Sequence, residues 1–244
     1  MTEKVALITG AAHRIGNAIA GSLHDAGYRI VVHYQRSAAG AQTLVRLLNG
    51  RRPDSAVSIC QDLRTTPELP VMVSRAAEHW GRLDVLVNNA SRFFPTPMGS
   101  VTESQWADLL DTNLKAPFFL AQAALPFLQV HGGSVINLID IYADRGLEDH
   151  AAYCISKAGL ATMTRLLAKE FAPRVRVNGV APGAILWPEG DEDAVRQQRI
   201  LSRIPMGRQG EAQDVASAVR YLVDQAPYVT GQILAVDGGR SLVG

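Results

Sequence analysis

The sequence predicts an α/β fold, a doubly wound parallel sheet of about seven strands with helices on both faces. Short apolar runs of strand length recur along the chain, helix-length stretches separate most of them, and no Pro/Ser-rich linker, repeat or low-complexity tract divides the 244 residues. The first run, residues 5–8, leads into a small-residue turn, a helical pattern over 15–23 and a second run at 30–32, which is a strand, helix, strand opening. Runs at 56–59, 85–87, 135–138, 175–180 and 233–236 bring the strands to seven. Sheets of this kind bind ligands outside the carboxyl ends of their strands, near a topological switch point. The length fits one domain spanning residues 1–244. The polar stretch 187–193, ahead of a further helical pattern, is placed as a lid over the site.

Composition excludes several function classes. With 24 Lys+Arg against 23 Asp+Glu, a formal charge of +1, 47% hydrophobic and 19% charged residues, the chain reads as soluble and globular. It has neither a basic footprint for nucleic acid nor an acidic tail. No apolar run approaches the roughly 18 residues of a membrane span. Gly10, His13 and Arg14 interrupt the place where a signal peptide would carry its apolar core. A cytoplasmic protein with no nucleic-acid and no membrane partner is expected. Cys60 and Cys154 make no disulfide framework, and neither they nor the six histidines have metal-ligand spacing, so no metal is expected.

The turn after the first strand, Thr9-Gly10-Ala11-Ala12-His13-Arg14-Ile15-Gly16, opens directly into a helix. Such a turn presents free N–H groups at a positive helix end and suits a pyrophosphate. An NAD site would carry Asp or Glu at the end of the second strand to accept from the ribose hydroxyl. Here the chain reads His33-Tyr34-Gln35-Arg36-Ser37, a guanidinium and a hydroxyl able to hold a 2′-phosphate, so NADPH is favoured; the bland alternative is that Arg36 solvates a loop. Asp62-Leu63 follows the third strand, where Asp62 is either an adenine contact or an Asx-turn.

Tyr153 and Lys157 stand four apart in a helix rich in small residues, on one face and one turn from each other. An ammonium there is expected to lower the phenol from about 10 and make it a usable proton donor. Cys154 adjoins Tyr153 but lies about 100° round the helix, and nothing marks it as a nucleophile. Trp80 and Trp106 fall in helical patterns and read as packing, and His13 as a solvated or cofactor-edge residue.

The glycine turn, Asn88-Asn89-Ala90 after the fourth strand, Asn113 in a helix, Tyr153-x-x-x-Lys157 and Pro182-Gly183 together resemble the short-chain dehydrogenase/reductase family over essentially the whole chain. The resemblance implies a single Rossmann-type domain, hydride transfer from a nicotinamide, and a homotetramer or dimer. It implies Tyr153 as proton donor, Lys157 as the residue holding the nicotinamide ribose, and Asn113 as orienter of a relay water. Gly10, Arg14, Ile15, Gly16, His33, Tyr34, Arg36, Ser37, Asp62, Leu63, Asn89, Ala90, Ser91, Pro182, Gly183 and Ile185 fall where the family holds its cofactor, and Val236-Asp237-Gly238-Gly239 resembles its closing turn.

Two departures narrow the resemblance. Arg14 stands where most members have Gly, and can reach both pyrophosphate and an electron-rich substrate. Asp140, thirteen residues before Tyr153, stands where the usual residue is Ser. An ionised carboxylate opposes charge developing on a carbonyl oxygen, whereas a carboxyl bonded to Tyr153 can feed a proton to a ring nitrogen while hydride goes to the adjacent carbon. Phe93, leaving the fourth strand at the ligand face, can stack on a flat bicycle, its plain alternative being loop packing. With Ala184-Ile185-Leu186-Trp187-Pro188-Glu189, these features resemble the bacterial form of the pteridine reductase branch. That implies dihydropterins, and dihydrofolate, as substrates, with Arg14, Ser91, Phe93, Asp140, Tyr153 and Trp187 around them. The alternatives are a ketone reductase, such as a 3-oxoacyl carrier-protein reductase, and a non-catalytic NADPH-binding sensor.

Overall fold

The computed structural model describes residues 3–187 and 193–243. Seven strands, β1 (Val5–Ile8), β2 (Arg29–Tyr34), β3 (Ala56–Cys60), β4 (Val85–Asn88), β5 (Ser134–Leu138), β6 (Arg176–Pro182) and β7 (Ile233–Val236), form one sheet in the order β3-β2-β1-β4-β5-β6-β7. Every pairing is parallel, with Val5 opposite Arg29, Ala6 opposite Val85 and Val85 opposite Ser134. The seven expected runs are the seven strands. β2 and β6 extend beyond their apolar cores, because His33 and Tyr34 continue the pairing with β3, and Ala181 and Pro182 the pairing with β7.

Side-chain alternation divides the interior in two. Val5 and Leu7 of β1 join Leu86, Val135 and Val177 on one face, covered by α3 (Leu69–Glu78), α5 (Ala116–Leu128) and α7 (Ala151–Phe171). Ala6 and Ile8 join Ile30, Val32 and Ile136 on the other, covered by α1 (Arg14–Asp25), α2 (Ala38–Arg51) and α9 (Ala212–Asp224). All four β1 residues are buried, which explains why the run is apolar without a break.

From β3 the chain returns across the sheet and pairs β4 on the other side of β1, so the switch point lies between β1 and β4. Loops leaving both strands meet there. The helix expected around Asn113 is not uniform: α4 (Glu103–Leu110) passes through one π-helical turn (Asp111–Lys115) into α5. A short helix, α6 (Tyr142–Arg145), follows β5, and α8 (Ala194–Leu201) precedes α9. No helix among the described residues is long and apolar enough to cross a membrane. None of their His, Cys, Asp and Glu residues cluster as metal ligands, and both cysteines are free.

Candidate active site

At the switch point an open cavity of about 480 Å³ is lined by the glycine turn, the ends of β2 and β3 and the loop after β4. It gathers Gly10, Arg14, Ile15, Gly16, Tyr34, Arg36, Ser37, Asp62, Leu63, Ala90 and Ser91, together with His13, expected as a solvated or cofactor-edge residue, and Gln35, Arg92 and Thr112, which the sequence does not single out as ligand residues. Gly16 is required by close approach, since a Cβ there would stand 2.5 Å from Asn89 Nδ2. The N-terminus of α1 has no capping side chain and no acidic residue in its first turn, leaving its orphan N–H groups to an anion. Arg36 is exposed at the rim, and no carboxylate among the described residues pairs with it. An elongated phosphate-bearing ligand such as a dinucleotide fits this donor set.

Two of the expected cofactor residues hold the turn from behind. His33 is buried; its Nδ1 accepts from Gly10 N–H at 3.1 Å and its Nε2–H donates to the Gln61 carbonyl at 3.0 Å, which fixes the tautomer. Burial pushes it down to about 4, so it is neutral at pH 7. Asn89 donates through Nδ2 to the carbonyls of Thr9 and Gly10, at 2.8 and 3.1 Å. Asp62, in the cavity lining, forms an Asx-turn, accepting from Arg64 N–H and its guanidinium, and that pairing holds the carboxyl down at about 2. Pro182, Gly183 and Ile185 lie outside this cavity's lining. Gly183 is small because a Cβ would stand 2.6 Å from Asp237 Cβ, and Ile185 packs in the core beside α9.

The residues expected to react meet at the end of β5. Tyr153 Oη donates to Asp140 Oδ2 at 2.7 Å, and Asp140 Oδ1 accepts from Tyr142 N–H at 2.9 Å. Lys157 is buried and donates to the Leu138 carbonyl at 2.8 Å. Burial lowers the Lys157 ammonium to about 8. The expected lowering of Tyr153 is overturned: burial, then the Asp140 charge, push the phenol well above its ordinary value. Lys157 is engaged with Leu138, its Nζ 5.8 Å from the Tyr153 ring centre, whereas Asp140 touches the hydroxyl. Asp140 is also raised, chiefly by burial, which outweighs the bonds from Tyr142 and Tyr153 and the charges of Lys157 and Arg240. The phenol thus donates to a carboxyl whose own affinity for a proton burial has raised.

The Asn113 side chain is fully engaged within the protein. Nδ2 donates to the Arg92 carbonyl and to Ser156 Oγ, each at 3.0 Å, while Oδ1 accepts from Arg92 N–H at 2.8 Å and Ser91 Oγ at 3.2 Å. Both donors and both lone pairs are taken, so its side chain has no capacity to orient a water; it fastens the loop after β4 to α7. Beyond that clamp, Phe93 lies edge-on to Tyr153, with centroids 4.8 Å apart, and is stacked on His150 at 4.7 Å. His150 gave no sequence signal. Phe93 remains 52% exposed, so its ring is not loop packing alone.

Arg14 has φ +53°, a left-handed conformation in which a side chain is strained. Its guanidinium donates to the carbonyls of Leu186 and Trp187 at 3.1–3.2 Å, bringing the glycine turn against the segment after β6. Residues 188–192, most of the expected lid, and with them Pro188 and Glu189, lie outside the described residues.

The family described as Enoyl-(Acyl carrier protein) reductase matches residues 10–241. Pteridine reductase 1 of Leishmania tarentolae is 37% identical, over 99% of this chain and 97% of its own length. The 3-oxoacyl-(acyl-carrier-protein) reductase of Staphylococcus aureus is 36% identical over 97% of each chain. A Streptomyces violaceoruber protein named as a ketoacyl reductase of the granaticin polyketide synthase is 38% identical over 98% of this chain and 96% of its own. With its seven-stranded parallel sheet, its Tyr153-x-x-x-Lys157 pair at the end of β5 and these full-length matches, the chain belongs to the short-chain dehydrogenase/reductase family of oxidoreductases, which use NAD(P)H.

Proposed function

We propose that this protein is an NADPH-dependent pteridine reductase, reducing a C=N bond of a dihydropterin, and of dihydrofolate, to the tetrahydro form. The observation that carries the reading is the 2.7 Å hydrogen bond from Tyr153 to Asp140. A reductase of ketones needs a donor aimed at the carbonyl oxygen as it gains negative charge, and a carboxylate at that place opposes the reaction. A carboxyl raised by burial and bonded to a phenol instead holds a proton for a basic ring nitrogen.

NADPH, when bound, supplies the hydride. Arg36 and Ser37 hold its 2′-phosphate, the N-terminus of α1 its pyrophosphate, and Lys157 its nicotinamide ribose. Arg14 and the exposed Phe93 ring orient the flat substrate, with Ser91 and Trp187 at its edges. Asp140 and Tyr153 deliver one proton to nitrogen as the adjacent carbon accepts hydride, and the carboxylate left behind is reprotonated from solvent. Asn113 keeps Ser91 and Arg92 seated while this happens.

Identity of 36–38% to proteins named for both pterin and ketoacyl reduction leaves the substrate to the site chemistry. NADPH oxidation at 340 nm, with dihydrobiopterin, dihydromonapterin, dihydrofolate and a 3-oxoacyl thioester in parallel, tests the reading. Turnover confined to pterins and folate supports it. Turnover of the thioester alone makes the protein a ketone reductase, and tight NADPH binding without any turnover makes it a sensor. We also propose a homotetramer, following the family; sedimentation equilibrium showing a monomer would refute that.

A further inference from the structure

The closing turn at the C-terminus does more than end the chain. Asp237 accepts from the N–H groups of Gly239 and Ser241 at 2.9 and 2.6 Å, and Gly239 takes φ +84°, where a Cβ would stand 3.0 Å from Pro205 Cγ. From α6, the Arg145 guanidinium donates to the carbonyls of Arg240 and Val243 at 2.6 and 2.5 Å. In return Arg240 donates to Tyr142 Oη at 2.7 Å, its guanidinium carbon 5.4 Å from the Tyr142 ring centre. The turn and α6 thus hold each other at both ends, and the residue so fastened, Tyr142, is the one whose N–H binds Asp140.

We propose that Arg240 is a positioning residue of the reaction centre: locked onto Tyr142 by the C-terminal turn, it places a second cation near the Asp140–Tyr153 hydrogen bond and sets how readily that bond releases its proton. This rests on the reading of Asp140 as the proton store. The groups facing Asp140 are Tyr153, Lys157 and Cys154 from α7, Tyr142 from α6 and Arg240 from the turn. Lys157 and Arg240 are the cations among them. Burial favours the neutral carboxyl and the two cations favour the ionised one, so the position of the balance depends on both. Without the Arg240 charge, Asp140 keeps its proton to higher pH.

Arg240→Gln and Arg240→Lys test this with two readouts: ¹³C NMR titration of the Asp140 carboxyl, assigned by its loss in Asp140→Asn, and the pH dependence of kcat for dihydropterin at saturating NADPH. In Arg240→Gln the carboxyl is expected to ionise at higher pH and the basic limb of kcat to move with it, while Arg240→Lys stays near the wild type. A purely structural role would lower kcat at all pH values and leave the titration in place. An unmoved carboxyl in Arg240→Gln, or an equal displacement in Arg240→Lys, would overturn the proposal. The NMR titration reads Asp140 whether or not pterin is turned over, so absence of pterin reduction by the wild type overturns the functional reading alone.

Discussion

Replacing Arg14 separates the strain stored in the glycine turn from the work its side chain does. At φ +53° any residue with a Cβ is disfavoured by about 1 kcal/mol or somewhat more, and Gly is not. Arg14→Gly and Arg14→Ala lose the same bonds to Leu186 and Trp187, so the difference between them isolates the backbone. The Gly variant should be the more stable by about 1 kcal/mol, or about 2–4 °C in Tm for a chain of this length. Against the wild type, Arg14→Ala loses exposed hydrogen bonds alone, about 1 kcal/mol in all. Arg14→Gly should therefore stand close to wild-type stability. In activity the two should fall together, losing roughly 10–100-fold in kcat/KM for dihydropterin, as expected when a charged hydrogen bond of about 1.5–3 kcal/mol is removed. Urea unfolding and NADPH-coupled kinetics on both variants give the answer. Equal stabilities for Gly and Ala would refute the strain, and full activity in the Gly variant would refute the role in substrate binding.

Other outcomes follow from the same geometry. Arg36→Ala should weaken NADPH much more than NADH, measured as Kd by fluorescence; equal losses would remove the 2′-phosphate role. His33, held to about 4 when folded, takes up a proton near 6.5 when unfolded, so the unfolded state binds more protons between those values and stability falls as pH drops from 6.5 to 4, by about 3 kcal/mol from this group. Urea midpoints of the wild type and His33→Gln should converge over that window, and parallel curves would show that His33 is not the cause. Asn113→Ala leaves the Arg92 N–H without a partner and its carbonyl with only the 3.4 Å bond from Ser91 Oγ, and should raise KM for pterin more than it lowers NADPH affinity; an effect on NADPH alone would contradict its placement as the clamp of the substrate loop.

The central strands were legible from apolar runs buried on both faces, as in β1, whereas β3 and β7 are shorter signals that leave residues exposed; polar ends such as His33 and Tyr34 needed the neighbouring strand to reveal them. The glycine turn was legible for the same local reason, since spacing and small residues announce a close approach. What sequence could not convey is the direction in which a polar side chain turns. His33 and Asn89 sit among pocket residues, yet they bond backwards into the turn. Lys157 sits one turn from Tyr153, yet burial and Asp140 decide the phenol's proton. Asn113 required knowledge of a π-helical turn and of the loop it meets, and the partnership of Arg240 with Tyr142 spans 98 positions, beyond the reach of any local pattern.

The most direct measurement is Asp140→Ser, assayed side by side on dihydropterin and on a 3-oxoacyl thioester with NADPH binding checked separately. If Asp140 is the proton store, pterin reduction falls by roughly 10²–10⁴-fold, the usual worth of a positioned acid, while NADPH affinity holds. Pterin reduction undiminished in that variant would contradict the assignment of Asp140 and with it the choice of C=N over C=O chemistry.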